Sequence, residues 1–181
     1  MVKASQLEYA LIGLIKQKAQ SGYDLRKIFA TTPMGHFSDS PGSIYPALRR
    51  LQSRGWIRAL QEKGGRQRQL LRVTSEGTRA FVNWLKQPVT AGDVMWRMNE
   101  LMLRFAFQGG NVPVSITREF LRQLERELAI HIRDLREYAK QPGLAKAVST
   151  GALAFASGIE GYEAQLAWTK RAKKKFTEES S

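Results

Sequence analysis

Two short apolar stretches, residues 56–60 and 69–73, flank the polar run Glu62-Lys63-Gly64-Gly65-Arg66-Gln67-Arg68, and this arrangement constrains the fold more than any other feature of the chain. Glycines between two apolar stretches of strand length mark a hairpin, here with a basic tip. Helical signals lie on both sides of it. Ser5 and Glu8 have the S-x-x-E spacing of a capping box, and Leu7, Leu11, Leu14 and Ile15 form one apolar stripe at helical spacing. Ser21-Gly22-Tyr23 interrupts that pattern. A second short helix then carries Leu25, Ile28 and Phe29, and Thr31-Thr32-Pro33-Met34-Gly35 breaks it.

A third helix starts between Ser40 and Ser43. Ser40-Pro41 reads as an N-cap with proline in the first helical position, whereas a start at Ser43 keeps Pro46 inside the first turn. Both starts remain open. Ile44, Leu48 and Leu51 supply the buried stripe, Gly55 closes the helix, and Ser43, Tyr45, Pro46, Arg49 and Arg50 fall on other faces. After the hairpin, a helix from Thr74 or Ser75 carries Phe81, Trp84 and Leu85 and ends before Pro88. Three helices, a hairpin and a helix make a winged helix-turn-helix with a two-stranded wing over residues 1–90.

Residues 91–181 read as helix throughout, so the chain is expected to be mainly α. Residues 91–107 are rich in large apolar side chains, and Gly109-Gly110-Asn111 with Pro113 is a loop. From 115 to 138, Leu121, Leu124, Leu128, His131, Leu135 and Tyr138 alternate at spacings of three and four, a heptad seam. Gln141-Pro142-Gly143 ends it, and a last helix over 149–174 carries Phe155, Ile159, Tyr162 and Leu166 on one stripe. A lone helix cannot bury such a seam. The expectation is an all-helical dimerisation domain, with Leu121, Leu124, Leu128, Leu135, Ile159, Tyr162 and Leu166 at a homodimer interface.

Charge sharpens the division. Residues 1–90 hold 15 Lys/Arg against 5 Asp/Glu, and residues 91–181 hold 14 against 11, out of a net charge of +13. A basic half of about +10 suits a polyanion, although an inert basic surface would have the same composition. The helix from Ser43 offers free amides, Tyr45 and Arg49 can reach base edges or sugar, and Arg66 and Arg68 on a Gly-Gly tip can enter the minor groove or clamp phosphates. Tyr45 could instead pack against the hairpin. The partner expected is double-stranded DNA.

Other chemistry finds little support. The chain has no cysteine, and its two histidines, His36 and His131, are far apart with no carboxylate at ligand spacing, so neither metal nor cofactor is expected. No nucleophile motif or phosphate-binding loop appears, which argues against an enzyme. With no secretory h-region and no apolar run of membrane-spanning length, a soluble, cytoplasmic protein without membrane association is expected. The run from Lys170 to Lys175 reads as a solvated helix end that favours the helix dipole.

In combination these motifs resemble PadR-type regulators. The resemblance is carried by Ser40-Pro41-Gly42-Ser43-Ile44-Tyr45-Pro46-Ala47-Leu48-Arg49-Arg50-Leu51, Ser21-Gly22-Tyr23-Asp24-Leu25, Gly65-Arg66-Gln67-Arg68 and Thr74-Ser75-Glu76-Gly77. The ending Gly161-Tyr162-Glu163-Ala164-Gln165-Leu166-Ala167-Trp168 is similar to the longer helical region of the virulence-activator branch. The resemblance implies a two-fold dimer on an inverted repeat, often a repressor, with small aromatic effectors in some members. It points to Tyr23 as a phosphate contact, to Ser40, Gly42, Ser43, Tyr45 and Pro46 on the recognition helix, and to Arg66 and Arg68 on the wing. Two departures stand out: Ser21-Gly22 where His-Gly is usual, and Gln69-Leu70-Leu71 in place of a Lys-Tyr-Tyr type run. The first removes a polar group near the DNA and the second alters packing behind the wing. Trp96, Met98 and Phe105, within the Met- and aromatic-rich segment, are the candidate effector-binding residues, with ordinary core or dimer packing as the alternative. A non-specific architectural protein is the rival function.

Overall fold

The computed structural model describes residues 4–38, 41–60, 69–141 and 149–178. The chain divides into two compact units, Met1–Leu85 and Lys86–Ser181.

In the first unit, α1 (Gln6–Gln17) opens on the expected capping box: the Ser5 hydroxyl accepts from the Glu8 amide, and the Glu8 carboxylate accepts from the Ser5 amide at 2.7 Å. Helix α2 (Gly22–Thr31) uses the same device with Ser21 and Asp24. Before it lies β1 (Gln20–Ser21), which pairs antiparallel with β3 (Leu70–Val73), and β3 pairs on its other side with β2 (Ile57–Leu60). The sheet therefore has three strands in the order β1-β3-β2, one more than the hairpin alone provides. A strand of two residues has no periodicity to betray it.

The sequence left two starts open for the third helix. Pro41–Ser43 form a 3-10 turn, and α3 runs Ile44–Ser53 with Ser43 as N-cap. Pro46 thus falls in the first turn, where an amide has no intrahelical acceptor to lose. At the other end Gly55 takes a left-handed φ of 69°, the Trp56 amide donates to Leu51 and the Gly55 amide to Gln52, a Schellman closure. Helix α4 (Ser75–Leu85) then lies so close to Trp56 that any Cβ on Gly77 would overlap the Trp56 carbonyl. Leu11, Ile12, Leu25, Ile44, Leu51, Phe81 and Leu85 fill the core of this unit.

The second unit contains α5 (Ala91–Trp96), α6 (Met98–Gln108), α7 (Val114–Ala139) and α8 (Thr150–Glu178). The stretch 91–107 is two helices, broken at Arg97, whose φ of −134° is not helical. The buried face of α7 corrects the reading of the heptad seam. Leu121, Leu124 and Leu128 are completely buried within this one chain, against Val89, Val94, Leu101 and Phe120, so they have no surface left for a second subunit. The buried stripe then continues to Ile132 and not to His131, because a straight helix of 3.6 residues per turn drifts away from a strict heptad. Leu135 is consequently half-buried and Tyr138 exposed. Ile159, Tyr162 and Leu166 on α8 are half-buried, and Tyr162 and Leu166 pack on the same core.

Arg104 on α6 is also buried. Its guanidinium donates to the Gln87 carbonyl and stands 5.3 Å from the centre of the Phe120 ring. Burial pushes its pKa down, against the opposing pull of Asp93 and Glu100. Among the described residues no helix is long and apolar enough to cross a membrane, and no group of three or more acidic or histidine side chains could hold a metal ion.

Candidate nucleic-acid interface

Helix α3 is amphipathic in a way that separates scaffold from contact surface. Ile44, Ala47, Leu48 and Leu51 face inward, while Tyr45, Arg49 and Gln52 recur at helical spacing on the exposed side. Beside them stands Tyr23 of α2, 56% exposed, with the Arg26 guanidinium 5.6 Å from its ring centre. Gly22 makes this closeness possible. A Cβ there would come within 2.9 Å of the Tyr45 ring, so only glycine lets Tyr45 lie against the start of α2.

The result is a cavity of about 330 Å³ lined by Gly22, Tyr23, Tyr45, Arg49, Gln52 and Gln69, among others. Two phenol groups, two amides and a guanidinium open on one concave surface at the foot of β3. Arg49 has no carboxylate partner among the described residues. These are groups that hydrogen-bond phosphate, sugar and base edges.

Of the sequence-predicted contacts, Tyr23, Tyr45 and Arg49 come together here. Gly42 is exposed in the 3-10 turn, Pro46 is half-buried, and the half-buried Ser43 has its hydroxyl 2.8 Å from that of Ser38. Ser40, Arg66 and Arg68 lie outside the described residues. Gln52 and Gln69 were not among the contacts expected from sequence, where Gln69 figured only in a departure tied to packing behind the wing. The spacing of Gln52, three residues beyond Arg49 and seven beyond Tyr45, carried the signal for the first, whereas Gln69 is brought in by strand pairing alone.

The neighbouring arginine behaves differently. Arg50 turns to α1 and donates from Nε to Glu8 Oε1 at 2.8 Å, with an Arg54 Nη1 3.6 Å from the other carboxylate oxygen. Glu8 is 2% exposed.

Among the described residues, the three effector candidates are not brought together in either of two cavities. Trp96, 80% exposed, lines one of about 340 Å³ with Met95, His131, Phe155 and Tyr162. Phe105 lines another with Trp168 and Phe176, and Met98 packs on the core. The short α6 turns its apolar residues inward, which takes Met98 and Phe105 away from Trp96.

A helix pair, α2 and α3, whose second member shows an exposed polar stripe, followed by an antiparallel sheet and a closing helix, is a winged helix-turn-helix. The family model described as Transcriptional regulator PadR-like family matches residues 11–83, a stretch within this first unit. The Escherichia coli (strain K12) protein named Transcriptional regulator YqjI is 28% identical over 82 residues, 45% of this chain and 37% of that protein. The YqjI protein of Shigella flexneri matches to the same extent. The chain thus spans little more than a third of the length of these curated relatives. Among solved structures, the PadR-like transcriptional regulator BC1756 from Bacillus cereus is 25% identical, with 93% of this chain and 94% of that chain covered at a TM-score of 0.42. Bacillus subtilis PadR in complex with operator DNA is 20% identical, with 94% and 98% covered at a TM-score of 0.41.

Proposed function

We propose that this chain is a sequence-specific transcriptional regulator that binds an inverted-repeat operator as a homodimer and represses from it. The observation that carries the reading is the exposed Tyr23, Tyr45 and Arg49 surface on a PadR-like domain, in the half of the chain with a charge of about +10. Arg66 and Arg68 add wing contacts in this reading. The second copy meets the apolar surface of the C-terminal unit at Leu135, Ile159 and the exposed Trp96. Burying a surface of that kind is the usual reason for its existence. A small aromatic effector enters the Trp96 cavity and acts by preferring one spacing of the two recognition helices.

Selection of bound duplexes from a random pool tests the reading. A recovered two-fold symmetric motif, bound at least about a thousandfold more tightly than random DNA at one salt concentration, is the expected result. Equal affinity for all duplexes, which the basic composition alone would give, replaces regulator by architectural protein. Repeating the assay with planar aromatic compounds, with Trp96→Phe as control, tests the effector: binders must change operator affinity.

A further inference from the structure

We infer that Glu8 decides which arginines of the recognition helix are available to DNA: it withdraws Arg50 into a buried ion pair and leaves Arg49 as the reading cation. Glu8 is then a positioning residue that sets specificity without touching DNA. This inference rests on the DNA-binding reading above.

Consecutive helical residues point about 100° apart, so Arg49 and Arg50 face different neighbours. Arg49 shares its cavity with Tyr23 and Tyr45. Arg50 meets a carboxylate that is 2% exposed and whose Oε2 also accepts from the Ser5 amide at 2.7 Å. A carboxylate taken out of water depends on its cation, and removing that partner leaves an uncompensated buried charge. A phosphate competing for Arg50 would have to take away the nearer of the two cations of Glu8, leaving only Arg54 at 3.6 Å. Among the described residues no carboxylate pairs with Arg49 in this way. The outer part of Arg50 is open to solvent, its side chain being 50% exposed, so exposure alone would rank the two arginines alike. The difference lies in the anion behind one of them.

The arrangement also selects what kind of affinity the helix has. With Arg49, Arg50 and Arg54 all free, α3 and its C-cap would present three cations to any duplex. Glu8 cancels part of that sequence-independent attraction and leaves Arg49 beside two tyrosines, where base and sugar geometry matter.

The experiment uses the full chain and a labelled duplex of random sequence about 30 base pairs long, titrated between about 50 and 200 mM salt. Each lost phosphate contact lowers the log–log salt slope by about 0.9, or about 3.5-fold in affinity over that range. Arg49→Ala is expected to lose about one such step and Arg50→Ala none. Glu8→Gln frees Arg50, so its slope steepens by up to one step and its random-DNA affinity rises; adding Arg50→Ala to Glu8→Gln returns the slope to that of Arg50→Ala. Equal slope losses in Arg49→Ala and Arg50→Ala overturn the inference, and they do so even if Glu8→Gln fails to fold. A Glu8→Gln chain that melts lower and binds more weakly at every salt with an unchanged slope also overturns it, since that is how a merely structural carboxylate behaves. Wild-type chain without salt-dependent binding overturns the DNA-binding reading itself.

Discussion

The rings of Tyr9 and Trp84 stack with centroids 4.4 Å apart and planes 6° from parallel, joining the first helix of the N-terminal unit to its last. Trp84 is buried, and Phe81 and Leu85 pack beside it in the same core. Trp84→Ala is expected to destabilise the unit by about 3–5 kcal/mol, through lost burial and the cavity left between α1 and α4. Trp84→Phe keeps a ring against Tyr9 and should cost less than half of that. Thermal unfolding followed by circular dichroism checks both.

The proposed function predicts that Tyr45 and the arginines Arg66 and Arg68 contribute differently to DNA binding. Tyr45→Ala is expected to erode discrimination between operator and random duplex by about 1–3 kcal/mol while leaving the salt slope nearly intact. Arg66→Ala and Arg68→Ala should each weaken binding to both duplexes and lower the slope by about one unit. Identical losses on both DNAs for all three variants would refute this division.

Charge substitutions separate the two halves of the α7 seam. Leu124→Glu puts a carboxylate into a side-chain position with no exposure at all, so it should unfold the C-terminal unit, seen as lost helicity. Leu135→Glu and Ile159→Glu sit at half-buried positions and should retain helicity while shifting sedimentation from dimer to monomer. A folded monomer from Leu124→Glu would show that the core assignment of that leucine is wrong.

Asp93 makes the C-terminal unit sensitive to acid. Burial alone would raise its pKa, but hydrogen bonds from the Thr90 hydroxyl and amide, together with Arg97, outweigh that and hold it below the ordinary carboxylate value. A folded-state pKa below the unfolded one contributes stability above the ordinary value of about 3.9 and loses it as pH falls through the folded value. The melting temperatures of wild type and Asp93→Asn should therefore differ at neutral pH and converge as the solution is acidified below pH about 4. A constant gap down to pH about 2 would mean that the carboxylate charge is not what Asp93 contributes.

What the sequence made legible was local. The Ser5–Glu8 box, the Gly55 closure and the inward stripe of α3 are each written within one or two turns of chain, and each is present. The boxes at Ser21–Asp24 and Thr90–Asp93 escaped notice, because aspartate replaces the glutamate of the usual pattern. Nonlocal facts were not readable. Nothing in the spacing of Leu121, Leu124 and Leu128 distinguishes a partner's helix from α6 and α8 of the same chain. Arg50 finds its carboxylate 42 residues away, so the difference between it and Arg49 appears only once α1 and α3 are packed.

The three-stranded sheet places β3 at its centre, hydrogen-bonded on both sides, so that the open backbone belongs to β1, two residues long, and β2, four residues long among those described. Edges this short are poor templates for strands of other molecules. In the regulator reading, copies crowded on one DNA would therefore meet through side chains and not by backbone zippering, and the unit should withstand high local concentration without seeding fibres.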